Sequence, residues 1–270
     1  MKKTSYIAAP NRHFILTSGR SGSNYLANTL NKHPNIVNYG EVLGEWTLPY
    51  KLYSCMSPFG VKWGSFLNAL YQSTSLYYVA QFISVISHLR RGEKIGFKNY
   101  SDIASIGIKD FAFLVRKRNL SSFFGPSANI KIIYLYRQNI FKRYLSLVRM
   151  QQSGKVKTES TETVSPIYVD PKHMLIELAL YEKELQLQKD IVASIPKDHL
   201  MKIKYEDYFN TLESIASTNK EVFDFLGVEP IEASSKQRKI GSDDLSSYIS
   251  NYDEICSVLS GTEYVKYLEM

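Results

Sequence analysis

Residues 12–24 read RHFILTSGRSGSN, and this stretch decides the fold class. Arg12 to Thr17 is a short apolar run with aromatic and β-branched members, the pattern of a buried strand. It passes directly into Ser18-Gly19-Arg20-Ser21-Gly22-Ser23-Asn24 and then into YLANTLNKH, where Leu26 and Leu30 stand one helical turn apart. The order is strand, tight glycine loop, helix. Two glycines let the backbone turn sharply and approach a ligand, so the loop amides and the helix N-terminus converge on one spot. That geometry binds phosphate or sulfate through N–H donors and the helix dipole. Arg20 adds a fixed positive charge, and Ser21, Ser23 and Asn24 add polar side chains. The spacing matches neither GxxxxGK[ST], which places a lysine on outer phosphates, nor GxGxxG.

Working outward, the helix ends before Pro34, and Ile36-Val37 reads as a second short strand leading to Tyr39-Gly40-Glu41. Residues 46–90 begin irregular and aromatic, with a helical pattern from about Trp63 to Leu89. KIGFKNY, 94–100, reads as a strand, and 102–125 as one or two short helices. KIIYLY, 131–136, is the clearest strand and is followed by a helix to about Gln152. Residues 153–166 are a polar Ser/Thr-rich loop. A long helix follows Asp170-Pro171, where proline suits the first turn, with Leu175, Leu178, Leu185 and Ile191 on its apolar face. HLMKIKY, 199–205, is a further strand. An amphipathic helix over 210–226 stops at Gly227. Ala233–Ser242 is a loop, and a short tail helix spans 252–259 with Asn251 as its N-cap. Strands alternating with helices predict a P-loop-like three-layer α/β fold: one domain, 1–270, with a mostly parallel central sheet between helices.

Composition bounds the function. The chain has 270 residues and a net charge of +7, ordinary globular composition that excludes disorder and collagen-like readings. Cys55 and Cys256 lie far apart, and five scattered histidines form no metal motif, so no metal site is expected. No 18-residue apolar run and no signal-peptide pattern is present, which leads to the expectation of a cytoplasmic protein without a membrane anchor. The basic excess suggests an anionic ligand.

A second basic element strengthens that suggestion. The strand KIIYLY delivers Arg137 at its C-terminal end, the edge where open α/β sheets bind ligands. Lys142, Arg143, Ser146 and Arg149 follow, with six basic and no acidic residues from Arg137 to Lys157. Ser146 lies about two helical turns into the helix, where its hydroxyl can share a groove with Arg137. A magnesium-nucleotide enzyme would usually end such a strand with aspartate. A kinase or NTPase is therefore disfavoured. A nucleic-acid or anionic-glycan binder is disfavoured too, because the cations gather at two phosphate-sized sites rather than along one stripe.

Together, FILTSGRSGSNYLANTL and IIYLYRQNIFKRYLS resemble the 5'-phosphosulfate loop and the 3'-phosphate motif of the PAPS-dependent sulfotransferases (PAPS is 3'-phosphoadenosine-5'-phosphosulfate). The closest flavour is the bacterial carbohydrate and small-molecule branch. NYGEVLG, KIGFK, KIKYEDYFN, FLGVEP and NYDEICSVLSGTEY extend the resemblance along nearly the whole chain. It implies PAPS as donor, PAP as product and no metal. It implies that Gly19, Arg20, Ser21, Gly22, Ser23 and Asn24 hold the 5' end, that Arg137 and Ser146 hold the 3'-phosphate, and that Lys236 and Arg238 add to it from a late loop. Glu41 is implied as general base. Lys98 is a second candidate for the sulfuryl group beside Arg20. His33 reads as structural. Segments 42–90 and 150–172 are expected to wall an acceptor pocket for a polar small molecule such as a secondary metabolite, with a glycan or glycolipid as the alternative.

Overall fold

The computed structural model describes residues 9–90, 92, 96–125, 128–153, 165–232 and 244–268. Five parallel strands, β1 (Asn11–Thr17), β2 (Ile36–Asn38), β3 (Ser105–Phe111), β4 (Ile130–Tyr136) and β5 (Leu200–Lys204), form one sheet in the order β2-β3-β1-β4-β5. The helices are α1 (Ser23–Lys32), α2 (Leu48–Met56), α3 (Trp63–Gln72), α4 (Thr74–Arg90), α5 (Ala112–Lys117) and α6 (Ile140–Ser153). They continue with α7 (Pro171–Ala193), α8 (Tyr205–Tyr208), α9 (Leu212–Leu226), α10 (Leu245–Tyr248) and α11 (Tyr252–Ser260).

Alternation along the strands makes the three layers. Phe14, Leu16, Ile106, Ile108, Ile132 and Tyr134 face one side and pack under α3, α5 and the end of α7. Ile15, Ile133, Leu135 and Ile203 face the other side and pack under α1, α8 and α9. A further apolar cluster joins α6 and α7 to α10 and α11. From β1 the chain moves to β2 and β3 on one side, then to β4 and β5 on the other. The switch point, where open α/β sheets leave a crevice, falls at the C-terminal end of β1.

Three expectations change. The third strand is SIGIKDF, 105–111, not KIGFKNY; residues 96–99 carry no regular structure, and only α5 and short 3-10 turns remain helical between 102 and 125. The pattern over 63–89 is two helices broken at Ser73. Asn251 does not cap α11 with its side chain, which instead bonds the backbone of Val169 and the Glu254 carboxylate. Elsewhere Gly227 ends α9 at φ 79, and Asp170 caps α7 by accepting from His173 N.

The middle of the sheet contains a histidine. His13 is fully buried, with Nδ1 2.8 Å from Ser105 Oγ and Nε2 3.1 Å from Asn38 Nδ2. Its ring fills the space above Gly107, where a Cβ would lie 1.9 Å from Nε2. Burial pushes its pKa down from 6.5 to about 3, so the folded protein holds it neutral. A depressed folded pKa stabilises the fold above pH 6.5, and that stability is lost as pH falls toward 3. Urea unfolding should therefore show a loss of about 3 kcal/mol between pH 6.5 and about 4 from this group. His13→Asn should remove most of that slope; an unchanged slope would contradict the assignment.

Candidate active site

The loop after β1 adopts a conformation that its residue types permit only at a cost. Arg20 sits at φ 62 and Gly22 at φ 79, both left-handed. Gly22 also has no room for a side chain: a Cβ there would lie 2.4 Å from Phe209 and 3.3 Å from Tyr205. Thr17 and Ser21 lock the base of the loop, with Oγ atoms 2.5 Å apart. Ser21 Oγ also donates to Ser18 O at 2.7 Å. The Ser21 hydroxyl thus serves the loop itself, and its implied part in holding a ligand is left to its backbone. The α1 N-terminus has no side-chain cap and no acidic residue in its first turn, so its dipole and amides are uncompensated by the chain.

Two buried arginines brace the loop from the β4–α6 side. Arg137 Nη1 donates to Arg20 O at 3.3 Å, and Arg143 Nε donates to Gly19 O at 2.8 Å. The Arg137 guanidinium lies 4.4 Å from the Tyr205 ring centroid, and that of Arg143 lies 3.9 Å from Tyr181. Glu184 pairs with Arg143 Nη2 at 2.6 Å. Arg137 Nε and Arg143 Nη1 remain buried without a hydrogen-bond partner. Burial lowers the Arg137 pKa, and the neighbouring Arg20 and Arg143 charges lower it further. Unpaired buried donors among mutually repelling cations are costly unless an anion answers them.

Arg20 completes the cluster. Its Nε donates to Ser146 Oγ at 3.0 Å, and its Nη1 lies 3.7 Å from Met150 Sδ. The structure therefore brings Arg20, Arg137 and Ser146 together on one side of the loop, with the Arg20 head turned to α6. At the neighbouring helix end, Gln138 N and Asn139 N both donate to Glu206. That terminus is occupied by the chain's own carboxylate.

The other side of β1 holds a second group. Lys109, near the end of β3 and almost fully buried, donates to Asn24 Oδ1 at 2.9 Å and to Glu41 Oε1 at 2.5 Å. Glu41 Oε2 accepts from Trp46 Nε1 at 2.9 Å. Asp110 sets this geometry. It accepts from Val42 N at 2.8 Å, Leu43 N at 2.6 Å and Phe111 N at 3.0 Å, and Gly40 at φ 72 turns the chain into Glu41. Burial raises the Asp110 carboxyl to about 6, against the pull of its three amide bonds.

Lys98 is not in this constellation. Its Nζ donates to Asn31 O at 2.7 Å, His33 O at 2.8 Å and Ile36 O at 2.6 Å. It caps the C-terminus of α1, at the opposite end of that helix from the loop, where a cation suits the free carbonyls. The lysine beside Asn24 and Glu41 is Lys109. His33 is structural, bonded through its ring to Glu229 O and Asn35 N. Lys236 and Arg238 lie outside the described residues. Lys109, Asp110, Arg143, Tyr205 and Phe209 are additions to the site, and the signal for Lys109 and Asp110 was a lysine–aspartate pair following the apolar run of a strand. Among the described residues no group of three or more His, Cys, Asp or Glu is placed to hold a metal ion, and no helix is long and apolar enough to cross a membrane.

No family model and no curated protein matches the chain. Solved structures similar to it include a sulfotransferase from Alicyclobacillus acidocaldarius, at 14 % identity and TM-score 0.46, covering 97 % of this chain and 95 % of that one. The sulfotransferase domain from the curacin biosynthetic pathway is similar at 18 % identity and TM-score 0.43, covering 89 % and 83 %. A mouse sulfotransferase complexed with PAP is similar at 14 % identity and TM-score 0.41, covering 96 % and 88 %.

The two lysines separate cleanly by experiment. Lys98→Met should lower unfolding stability by about 1–2 kcal/mol, the scale of a lost helix cap. It should leave anion binding at the loop unchanged in calorimetry. Loss of anion binding in Lys98→Met would return Lys98 to the site.

Proposed function

We propose that this chain is a PAPS-dependent sulfotransferase that moves a sulfuryl group to a hydroxyl or amine of a polar small molecule and releases PAP. One observation supports this reading above the others. A glycine loop with an uncapped helix N-terminus lies between an arginine cluster with unpaired buried donors and a Lys109–Glu41 pair. The first side suits a donor with two separate anionic groups, and the second suits the reacting groups.

The residues present fit PAPS. Gly19, Gly22, Ser23 and Asn24 would hold its 5'-phosphosulfate through loop and first-turn amides. Arg137, Arg143 and Ser146 would hold its 3'-phosphate, with Arg20 reaching either end from its place in the loop. Tyr205 and Phe209, beside Gly22, offer aromatic faces for an adenine ring. When bound, PAPS supplies the sulfur–oxygen bond that breaks as the acceptor oxygen or nitrogen attacks.

The chain's own residues do the rest by position and charge. Lys109 touches both Asn24 and Glu41, so its ammonium joins the donor loop to the acceptor side. Glu41 would take the acceptor proton, a role worth roughly 10²–10⁴-fold. Trp46 sets the early part of segment 42–90 beside Glu41, which supports that segment as an acceptor wall, while Met150, at the start of segment 150–172, lies against Arg20. A glycan or glycolipid acceptor is the alternative within the same chemistry.

The magnesium-nucleotide reading is weakened by Asp110. It is the aspartate at the end of β3, but both of its oxygens are committed to amides of the chain. Neither the loop nor the end of β4 supplies the Gly-Lys pair or the carboxylate that such chemistry uses.

Transfer of labelled sulfuryl from PAPS to a panel of polar hydroxyl and amine acceptors tests the proposal. Wild-type protein should label at least one acceptor and release PAP. Glu41→Gln and Lys109→Met should each lower kcat by about 10²-fold or more while PAP binding changes little. A kcat for Glu41→Gln within a few-fold of wild type would remove it as the base. Arg137→Ala should weaken PAP binding by about 10- to 100-fold in calorimetry, the scale of a lost charge-assisted contact. Unchanged affinity would overturn its assignment.

A further inference from the structure

Arg143 is gripped on three sides, and two of the grips come from α7. Its Nε donates to Gly19 O at 2.8 Å. Its Nη2 donates to Glu184 Oε2 at 2.6 Å. The Tyr181 ring lies under the guanidinium, with its centroid 3.9 Å from Cζ. Tyr181 and Glu184 stand one helical turn apart on α7, so the helix presents a ring to the face of the group and a carboxylate to its edge. A carboxylate facing an arginine frequently takes two donors side by side. Here Glu184 takes Nη2, and Nη1 stays buried without a hydrogen-bond partner among the described residues.

Stability alone does not call for this pair. Both side chains are withdrawn from water, at 6 % and 14 % exposure, and a buried ion pair roughly recovers what its desolvation costs. Nor does close packing fix Glu184. It lines a cavity of about 370 Å³ between α5 and α7, together with Phe113, Leu180 and Leu187. What the pair does fix is the direction of the guanidinium. The group is planar and its donors form a rigid fork. With Nε committed to the loop and Nη2 to α7, the direction of Nη1 follows from the other two.

We propose that Glu184 and Tyr181 are positioning residues, which set Arg143 so that Nη1 meets an anion bound beside the loop while Nε holds Gly19. On the sulfotransferase reading, on which the ligand's identity rests, that anion is the 3'-phosphate of PAPS. Glu184 acts through Arg143. By its charge alone, a carboxylate near the anion would weaken binding. Positioning and charge therefore give opposite signs when Glu184 is removed.

Calorimetric titration of the full chain with PAP and, separately, with inorganic pyrophosphate tests it. Glu184→Ala should weaken both by about tenfold or more, the scale of a misplaced charged donor. Glu184→Gln keeps an oxygen for Nη2 and should stay within about threefold of wild type. Tyr181→Phe should bind as wild type does, and Tyr181→Leu about three- to fivefold more weakly. In an Arg143→Gln background, adding Glu184→Ala should cost no further affinity, because the two residues act as one unit. A merely structural carboxylate would lower the melting temperature without that coupling. Tighter or unchanged anion binding by Glu184→Ala would overturn the proposal, as would a loss that persists undiminished beside Arg143→Gln. If Glu184→Ala does not fold, the Tyr181 variants decide, and equal affinity of Tyr181→Leu and Tyr181→Phe would overturn it. Wild-type binding of pyrophosphate without PAP would overturn the sulfotransferase reading, with the variants then scored on pyrophosphate. Wild-type binding of neither anion would overturn both.

Discussion

Two buried guanidinium groups hold the carbonyl oxygens of a five-residue turn, and the site depends on that arrangement. Arg143 takes Gly19 O and Arg137 takes Arg20 O. The carbonyls of the loop are thereby turned toward β4 and α6, and the left-handed Arg20 and Gly22 are kept in place. The same two side chains retain unpaired donors and crowd a third arginine. One set of contacts shapes the loop and leaves it short of negative charge. Glu184 relieves Arg143, and Tyr181 and Tyr205 lie under the two guanidiniums, but none of these reaches the orphaned atoms. An anion bound at the loop would relieve the strain that folding builds there.

The sheet order distributes the labour. β4 and α6 lie on one side of β1 and carry the arginines. β3 and the segment after β2 lie on the other and carry Lys109, Asp110 and Glu41. Asp110 is the counterpart of the arginine brace. By taking two successive amides at Val42 and Leu43, it extends the order of the short β2 far enough to place Glu41 against Lys109. The arginine cluster and the Lys109–Glu41 pair therefore flank the loop from opposite sides, where the chain changes direction across the sheet.

The opening strand, the glycine loop, the strand ending at Arg137 and the helix carrying Ser146 were all legible, because each follows from local periodicity or from a residue type that only one local conformation accommodates. The error over Lys98 has a physical source. The chain contains IGFK at 95–98 and IGIK at 106–109, and local propensity does not distinguish them. What distinguishes them is tertiary. Gly107 is required beneath the His13 ring, and Lys109 has Glu41 and Asn24 to answer its charge in the interior. The first lysine has only the carbonyls at the end of α1. Arg143 was visible as one of several basic residues on a helix, but its contact with Gly19 spans 124 residues and no spacing announces it.

Calorimetric titration of the wild-type protein with PAP, without metal, set beside ADP with magnesium, tests the central claim most directly. PAP and ADP share the adenosine and the 5'-phosphate, and PAP alone carries the 3'-phosphate for which the arginine cluster is short of charge. Tight binding of PAP with weak binding of magnesium-ADP is the predicted result. No PAP binding, or tighter binding of magnesium-ADP, would contradict the account and leave the arginine cluster without the ligand argued for it.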